Sequence, residues 1–207
     1  MARVKTANDI INQVAIEVGL DEDTDPYSST DKAFIQMQRL LDAAGMELLL
    51  MHEWNHMIKE HNFTTTVVAA GTYALPTDFL YMIDQTGWER ANNTPLSGPL
   101  SPQDWQYLKG RDLTNNTIYA TFRFQNDEIK ILPDNEADLT IYFEYMNRNW
   151  VEATASGGFK DAITVGTDEI QYEPILIERY LKLKFLDAKG WDITTAQEDF
   201  NEVFATL

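Results

Sequence analysis

Apolar residues recur at helical spacing near the start of the chain, which predicts two amphipathic helices. The first is predicted from Thr6 to Gly19, since glycine accepts the left-handed backbone angles of a helix end. The second is capped by Ser28 or Ser29 and is predicted to run to Ile58. Its apolar residues, spaced alternately three and four apart, are Phe34, Met37, Leu41, Ala44, Leu48 and Met51. This seam is typical of helices that pack against one another.

Two more helices are predicted towards the end of the chain. Pro174 suits the first position of one helix, and Gly190 suits its end. The last helix begins with a cap at Thr194 or Thr195. It carries four apolar residues: Phe200, Val203, Phe204 and Leu207. Side chains of this kind need burial, so they either close the chain's own bundle or dock into another protein.

The middle of the chain predicts strands. β-branched and aromatic residues are frequent there, and residues 139–146 alternate between apolar and other side chains. Such alternation is typical of an antiparallel sheet packed on one face. Residues 125–127 suit the turn of a hairpin. The predicted strands cover residues 63–68, 72–75, 117–124, 128–132 and 139–146.

These elements predict an α+β chain in which the N- and C-terminal helices form a helical bundle domain with an inserted antiparallel β-rich lobe. The helical domain comprises residues 1–61 and 168–207. The β-rich lobe comprises residues 62–150 and includes a short helix at 101–109. Residues 151–167, rich in small residues, are expected to form an exposed loop or arm, which either contacts a neighbouring subunit or is simply flexible.

Residues 75–110 contain aromatic anchors and no catalytic grouping. Ser101 is a good helix cap, and Pro102 suits the first helical position. Asp104 follows Ser101 by three residues, where its carboxylate can complete the cap. Trp105 then begins the apolar side of this helix. The segment is therefore typical of a scaffold, an irregular sheet region closed by a short helix.

A diffuse motif runs through this scaffold, between the N-terminal helices and the C-terminal helical pair. It consists of Leu75, Pro76, Asp78, Phe79, Trp88, Pro95, Leu96, Ser101, Pro102 and Trp105. The order of these residues resembles that of bacteriophage head-to-tail adaptors, also called connectors, and above all the tail tubular protein A-like family of short-tailed phages. In element order the likeness covers nearly the whole chain, but none of its motifs is a catalytic fingerprint.

The resemblance implies a structural virion protein that is not an enzyme and needs no cofactor. Such an adaptor forms a homo-oligomeric ring, of about twelve copies, that joins the portal protein to the tail tube or nozzle. DNA passes through its channel without specific binding. The protein would act at the head-to-tail junction of the virion and would stay in the host cytoplasm before assembly. By the same resemblance, we expect the portal contact at Phe200, Val203, Phe204 and Leu207.

Composition and charge agree with this expectation. The chain has 33 acidic and 16 basic residues and a formal net charge of −17, which argues against a protein that grips phosphate. The acidic residues form either an ordinary solvated surface or a channel wall that repels DNA. Cysteine is absent, which excludes thiolate nucleophiles and cysteine-based zinc clusters. No apolar run approaches the ~18 residues of a membrane span, and the start of the chain lacks a signal-peptide core, so we expect neither membrane association nor secretion.

One enzyme motif gives an alternative function. Residues 52–56, HEWNH, match the H-E-x-x-H pattern, in which His52 and His56 share a zinc ion and Glu53 acts as a base on its bound water. A zinc-dependent hydrolase is therefore the alternative. The longer metzincin pattern fails, because Lys59 stands where it needs glycine and Asn62 where it needs histidine. A partly buried histidine and a surface histidine beside a packing tryptophan are the simpler interpretation.

Overall fold

The computed structural model describes residues 4–110, 120–134 and 138–207. The helices of this part of the chain are α1 (Ala7–Glu17), α2 (Lys32–Met51), α3 (Pro102–Gly110), α4 (Pro174–Lys189) and α5 (Thr194–Thr206). Its strands are β1 (Lys5–Thr6), β2 (Ile58–Thr64), β3 (Thr72–Ala74), β4 (Phe79–Met82), β5 (Trp88–Glu89), β6 (Thr94–Pro95), β7 (Thr121–Gln125), β8 (Glu128–Leu132), β9 (Thr140–Asn147), β10 (Val151–Ala153), β11 (Gly158–Lys160) and β12 (Glu169–Ile170).

The chain divides into two compact units. The first lies within Met1–Trp54 and Arg148–Leu207, and the second is Asn55–Asn147. The first contains α1, α2, α4 and α5, whereas the second contains α3 and most of the strands. The domain limits predicted from the sequence stay a prediction.

The predicted fold class, a helical bundle domain with an inserted antiparallel β-rich lobe, is wrong. The described residues form twelve strands in three antiparallel sheets, and one of these sheets belongs to the unit that holds the helices. Its strand order is β1-β12-β10-β11. β1 and β12 have only two residues each, too few to show alternation along the sequence. They are held by pairing with strands that are distant in the chain, such as Lys5 with Ile170.

The core of the first unit is built around Trp150, whose side chain is 1% exposed. Its indole stacks on Tyr172 with ring centroids 5.9 Å apart, and its Nε1–H donates to the carbonyl of Asp161 at 2.9 Å. The Tyr172 hydroxyl in turn donates to the carbonyl of Gly45, in the middle of α2, at 2.7 Å. A Cβ at residue 45 would overlap the six-membered ring of Trp150. α2 therefore needs glycine at this position so that the indole can lie against its backbone.

A buried carboxylate, Asp168, organises the loop before β12. Its side chain is 1% exposed and accepts hydrogen bonds from the backbone N–H groups of Thr164 at 2.8 Å and Val165 at 2.9 Å. Lys160 completes the site with an ion pair of 2.5 Å. Burial raises the pKa of the Asp168 carboxyl, but the Lys160 ammonium and the backbone donors outweigh burial, so that this pKa lies below its usual range.

The start of α1 rests on this loop. Thr6 caps α1 by accepting from the Asp9 N–H, and the Asp9 carboxylate answers the Thr6 N–H. The next two backbone N–H groups, of Ala7 and Asn8, donate to carbonyls of the loop, each at 2.9 Å. The first donors of the helix are thus satisfied by chain that lies more than a hundred residues later.

α4 lies at the centre of the helices and contacts α1, α2 and α5. Its side chains Leu176, Ile177 and Leu181 are fully buried. Ion pairs line its borders, such as those from Arg179 and Lys182 to Glu17 of α1 at 3.0 and 2.9 Å. No helix in the described part of the chain is long and apolar enough to cross a membrane.

The second unit contains two sheets. One has the order β2-β9-β5-β6, with β4 also paired to β9, and the other has the order β3-β8-β7. The alternation predicted along β9 is confirmed from Thr140 to Tyr145, since Ile141, Phe143 and Tyr145 are buried whereas Thr140 and Glu144 are not. It fails at Met146, which is also buried. These three residues, Ile141, Phe143 and Tyr145, form a core with residues of the second sheet: Phe122, Ile129 and Ile131.

Turns and caps of the second unit follow the sequence prediction. Asn126 and Asp127 have φ of 56° and 58° and form the two-residue turn between β7 and β8. Ser101 accepts from the Asp104 N–H at 3.1 Å and donates to its carboxylate at 2.7 Å, which confirms the predicted cap of α3. The strand expected over residues 117–124 lies partly outside the described residues, and β7 begins at Thr121.

The segment expected to be an exposed loop or arm contains strands. β10 and β11 form an antiparallel hairpin with Val151 opposite Lys160, and β10 pairs also with β12. Val151 is fully buried, whereas Phe159 is 51% exposed. One strand of the hairpin therefore belongs to the core of the first unit, and the turn between the strands projects from it.

We expect Gly45→Ala to destabilise the protein, although alanine is the better helix former by about 1 kcal/mol. The added methyl group must displace Trp150, and overpacking of this kind costs about 1–3 kcal/mol. Denaturant unfolding followed by tryptophan fluorescence measures the difference. Gly110→Ala is the control, because a Cβ there meets open space. A Gly45→Ala protein at least as stable as the wild type would contradict this account of the core.

We expect Asp168→Asn to destabilise the protein by about 3 kcal/mol at pH 7, because it leaves Lys160 without its buried partner. A carboxyl with a lowered pKa stabilises the fold above its unfolded pKa, and this stability is lost as the pH falls through its folded pKa. The difference between variant and wild type should therefore shrink below about pH 4. Denaturant unfolding at pH 7 and at pH 3 tests this.

The control for this experiment is Asp161→Asn. Asp161 pairs with Arg148 at 3.3 Å, but both side chains are about half exposed, so we expect a loss of no more than about 1 kcal/mol. Equal effects of the two substitutions, or an effect of Asp168→Asn that does not change with pH, would show that burial of the ion pair is not what stabilises the loop.

Candidate functional site

The structure divides the four apolar residues of the predicted portal contact. Phe200 is 6% exposed and stacks on Tyr180 of α4 with ring centroids 4.5 Å apart. Val203 and Phe204 are partly buried, and the Phe204 ring lies 5.7 Å from that of Phe200. Only Leu207 is well exposed, at 58%. Phe200 is therefore part of the core of the first unit, whereas Leu207, at the end of α5, is the exposed member of the four. The portal contact itself stays a prediction.

Tyr180 is held in place for this stacking. Its hydroxyl donates to the carboxylate of Glu47 on α2, and Lys184 pairs with the same carboxylate at 2.7 Å. Burial raises the pKa of Tyr180, and its bond to the Glu47 carboxylate raises it further. Burial raises the pKa of Glu47 as well, but the bonds from Lys184 and Tyr180 bring the net pKa below its usual range. Near neutral pH, Tyr180 is therefore neutral and Glu47 is charged. The hydrogen bond and the ion pair to Glu47 join α4 to α2.

The end of α2 meets the end of α5 through aromatic rings. His52 lies edge-on to Trp54 at 5.0 Å and to Phe204 at 6.4 Å between centroids. Trp54 is buried, and its Nε1–H donates to the Leu48 carbonyl at 2.8 Å. Leu207 follows Phe204 by three residues and is the residue directly after α5. We call His52, Phe204 and Leu207 the C-terminal patch.

The predicted continuation of the second helix to Ile58 is wrong, and with it the helical geometry of the zinc motif. α2 ends at Met51, and His52 has extended backbone angles, φ −153° and ψ 151°. His56 lies in a separate 3-10 turn, Asn55–Met57, so the two histidines are not on successive turns of one helix. Among the described residues, no group of three His, Asp or Glu side chains could hold a metal ion. Nothing supports the zinc hydrolase alternative.

Several motif residues of the second unit build its scaffold. Asp78 accepts from Lys59 at 2.7 Å and from the Tyr145 hydroxyl at 2.9 Å. Burial raises the pKa of Asp78, but these two donors outweigh burial and lower it overall. Leu96 belongs to the core of the unit, and Leu75 and Phe79, partly buried, pack against this core. Trp105 of α3 is buried.

The other motif residues lie in turns and at the surface. Pro76 accepts from the Phe79 N–H at 3.0 Å in a tight turn, and Pro102 opens α3. Trp88 faces Pro95 across the β5–β6 ribbon and is 41% exposed. Such exposure is unusual for a scaffold tryptophan. The role of the whole set as a family motif stays a prediction.

Two exposed apolar residues of α2 were missed by the sequence analysis. Met46 is 59% exposed and Leu50 is 68% exposed, and they lie four residues apart on one side of the helix. The sequence signal that could have found them is this spacing of four, but both residues lie outside the predicted seam. The seam itself is buried from Phe34 to Leu48, whereas Met51 at its end is 45% exposed. Met46 and Leu50 form the α2 patch, a second apolar area on the surface of the first unit.

Comparison with known protein families gives a match that covers nearly all of the residues. The model of a family described as SU10 adaptor protein matches residues 5–206. Among curated proteins, none matches the chain. The family match supports the resemblance to phage adaptors, whereas the narrower tail tubular protein A-like assignment is not confirmed.

Phe200 and Leu207 should respond differently to truncation. We expect Phe200→Ala to cost about 3–5 kcal/mol of stability, because it removes a buried ring that stacks on Tyr180. Leu207→Ala, at an exposed position, should change stability by no more than about 0.5 kcal/mol. Denaturant unfolding of both variants provides the comparison. Similar losses of stability in the two variants would contradict the placement of Phe200 in the core and of Leu207 at the surface.

Proposed function

This chain belongs to the SU10 adaptor protein family, and from that premise we propose that it forms a ring joining the portal to the tail tube or nozzle of a bacteriophage virion. The match over residues 5–206 carries the proposal, because it spans both compact units. Family membership supports a structural role as a phage adaptor. The ring of about twelve copies, its place at the head-to-tail junction and the host cytoplasm as its location before assembly are parts of the proposal.

Contact between copies needs apolar surface, because subunits with a net charge of −17 repel one another. The α2 patch supplies such surface in Met46 and Leu50. Fully buried parts of interfaces between identical subunits are richer in apolar atoms than the rest of a protein surface. We assign the α2 patch to the contact between neighbouring copies in the ring.

Contact with the portal is assigned to the C-terminal patch. Its centre, Phe204, is already ordered by the ring of His52, so docking orders few additional side chains. Leu207 offers an apolar side chain that the unit itself leaves largely exposed. Phe200, which is buried and contacts Phe204, and the partly buried Val203 complete the proposed set.

The acidic surface suits the passage of DNA. Carboxylates repel the phosphate backbone, whereas a protein that holds DNA needs clustered lysine and arginine. The chain has about twice as many acidic as basic residues, 33 against 16. We propose that the ring leaves a channel through which DNA slides without specific binding.

The mass of the chain in solution, alone and with a portal ring, tests the proposal. We expect a ring of about twelve copies, formed alone or on the portal, when mass is measured by native mass spectrometry or analytical ultracentrifugation. Leu50→Asp should prevent ring formation, because it places a charge in the contact between copies. Leu207→Asp should weaken portal binding and leave contacts between copies intact.

Two controls make the outcome decisive. Leu50 and Leu207 are both exposed, so Leu50→Asp and Leu207→Asp should unfold at the same denaturant concentration as the wild type. Ile16→Asp, an exposed apolar position on α1 outside both patches, should leave assembly unchanged. A chain that stays monomeric in the presence of portal rings would overturn the proposed function. Rings that tolerate Leu50→Asp would overturn only the assignment of the α2 patch.

A further inference from the structure

The second unit contains a small pocket beside β5 that has no part in the contacts proposed above. Its volume is about 240 Å³. This is below the roughly 300–1,000 Å³ of typical small-molecule sites, and it suits a single large side chain. Met82, Leu96 and Phe122 form much of its apolar lining. We call this cavity the Trp88 pocket, after the exposed residue in its wall.

Trp88 lines the pocket with its ring held in a fixed position. Its Nε1–H donates to the carbonyl of Gln85 at 3.3 Å, so the only polar atom of the ring is already bonded within the chain. Gly87, next to it, leaves no room for a side chain, since a Cβ would lie 2.8 Å from Cε of Met82 and 3.2 Å from Cβ of Leu96. Trp88 therefore offers a ligand the apolar surface of its ring, and the face of an indole is a surface on which a cation or a planar group can stack.

Asp84 is the acidic residue of the pocket lining. It is exposed, and its carboxylate makes no hydrogen bond or ion pair within the part of the chain that the structure describes. An aromatic face, an apolar wall and a free carboxylate together match an arginine side chain. The guanidinium plane stacks on the ring, its N–H groups pair with the carboxylate, and its apolar stem covers the wall.

The same unit already holds one of its own arginines in this way. The guanidinium carbon of Arg90 lies 3.9 Å over the centre of the Tyr142 ring, and Arg90 pairs with the carboxylate of Glu60. Tyr142 is the cross-strand partner of Trp88. The Trp88 pocket repeats, next to this site, the combination of ring and carboxylate, and the described residues that line it include no arginine.

We propose that the Trp88 pocket binds an arginine side chain from a basic segment of another virion protein. A net charge of −17 favours a basic partner over a second copy of this acidic chain. That the partner is another virion protein rests on the proposed adaptor function. That the ligand is an arginine side chain rests only on the residues that line the pocket.

Peptide titration of protein labelled with 5-fluorotryptophan tests this proposal. The chain has five tryptophans, and Trp88→Phe identifies the fluorine resonance of Trp88. We expect acetyl-Gly-Arg-Gly-amide to shift this resonance in a saturable manner. The citrulline peptide of the same length, which is planar but uncharged, should give no saturable shift. Asp84→Asn should weaken binding of the arginine peptide by roughly threefold, the effect of an exposed ion pair.

Trp191 is the matched control, because it is 53% exposed and lies in the first unit. Its resonance should not move. Equal shifts of Trp88 and Trp191, an equal response to the citrulline peptide, or an unchanged affinity of Asp84→Asn would each overturn the proposal. A shift of the Trp88 resonance on raising the protein concentration without peptide would identify a second copy as the occupant, and would overturn the assignment to another protein.

The two proposals fail in different ways. A chain that assembles on portal rings but gives no specific response to the arginine peptide retains the proposed function and loses this inference. A chain that binds the peptide through Trp88 and Asp84 but forms no ring retains the arginine site and loses the adaptor assignment on which the identity of the partner rests.

Discussion

The first unit depends on the contact between the indole of Trp150 and the backbone of Gly45. An aromatic ring lies against a helix backbone at this distance only where the helix carries no side chain, so α2 has glycine in its middle, where the intrinsic preference is against it. The same contact connects the helices to the sheet, because Trp150 directly precedes β10. Tyr172 then joins the ring to the Gly45 carbonyl. One missing Cβ thus fixes where the sheet can pack against the helices.

Local signals predicted the elements that depend on neighbouring residues. The cap at Ser101, the turn at Asn126 and Asp127 and the alternation along β9 are set within a few residues, and the structure has all of them. The sheet of the first unit could not be predicted in this way. β1 is formed by two residues whose partners in β12 lie more than 160 positions later, and a strand of two residues carries no period. The fold class was wrong for this reason.

Which residues lie at the surface could also be predicted only in part, because burial depends on side chains that are distant in the sequence. The spacing of apolar residues on α5 predicted which side chains need burial, but it could not show that Tyr180 covers Phe200 and leaves Leu207 exposed. The histidines of residues 52–56 matched a catalytic pattern because the helix was expected to continue past Met51. The extended backbone at His52 instead turns this ring towards Trp54 and Phe204. A short motif indicates chemistry only when its secondary structure holds.

The bond between the start of α1 and the loop of Asp168 has a consequence for the order in which the protein forms during synthesis. The second unit is one continuous segment, so all its strands are available once Asn147 has left the ribosome. The first unit needs β12 to pair with β1, and it needs the backbone carbonyls of residues 166 and 168 to receive the first N–H groups of α1. Its N-terminal helices must therefore wait, with their apolar seams uncovered, until residues 166–170 have been translated. Newly made chains would be vulnerable to aggregation in this interval, and early folding of the middle segment shortens the distance that the two ends must then search.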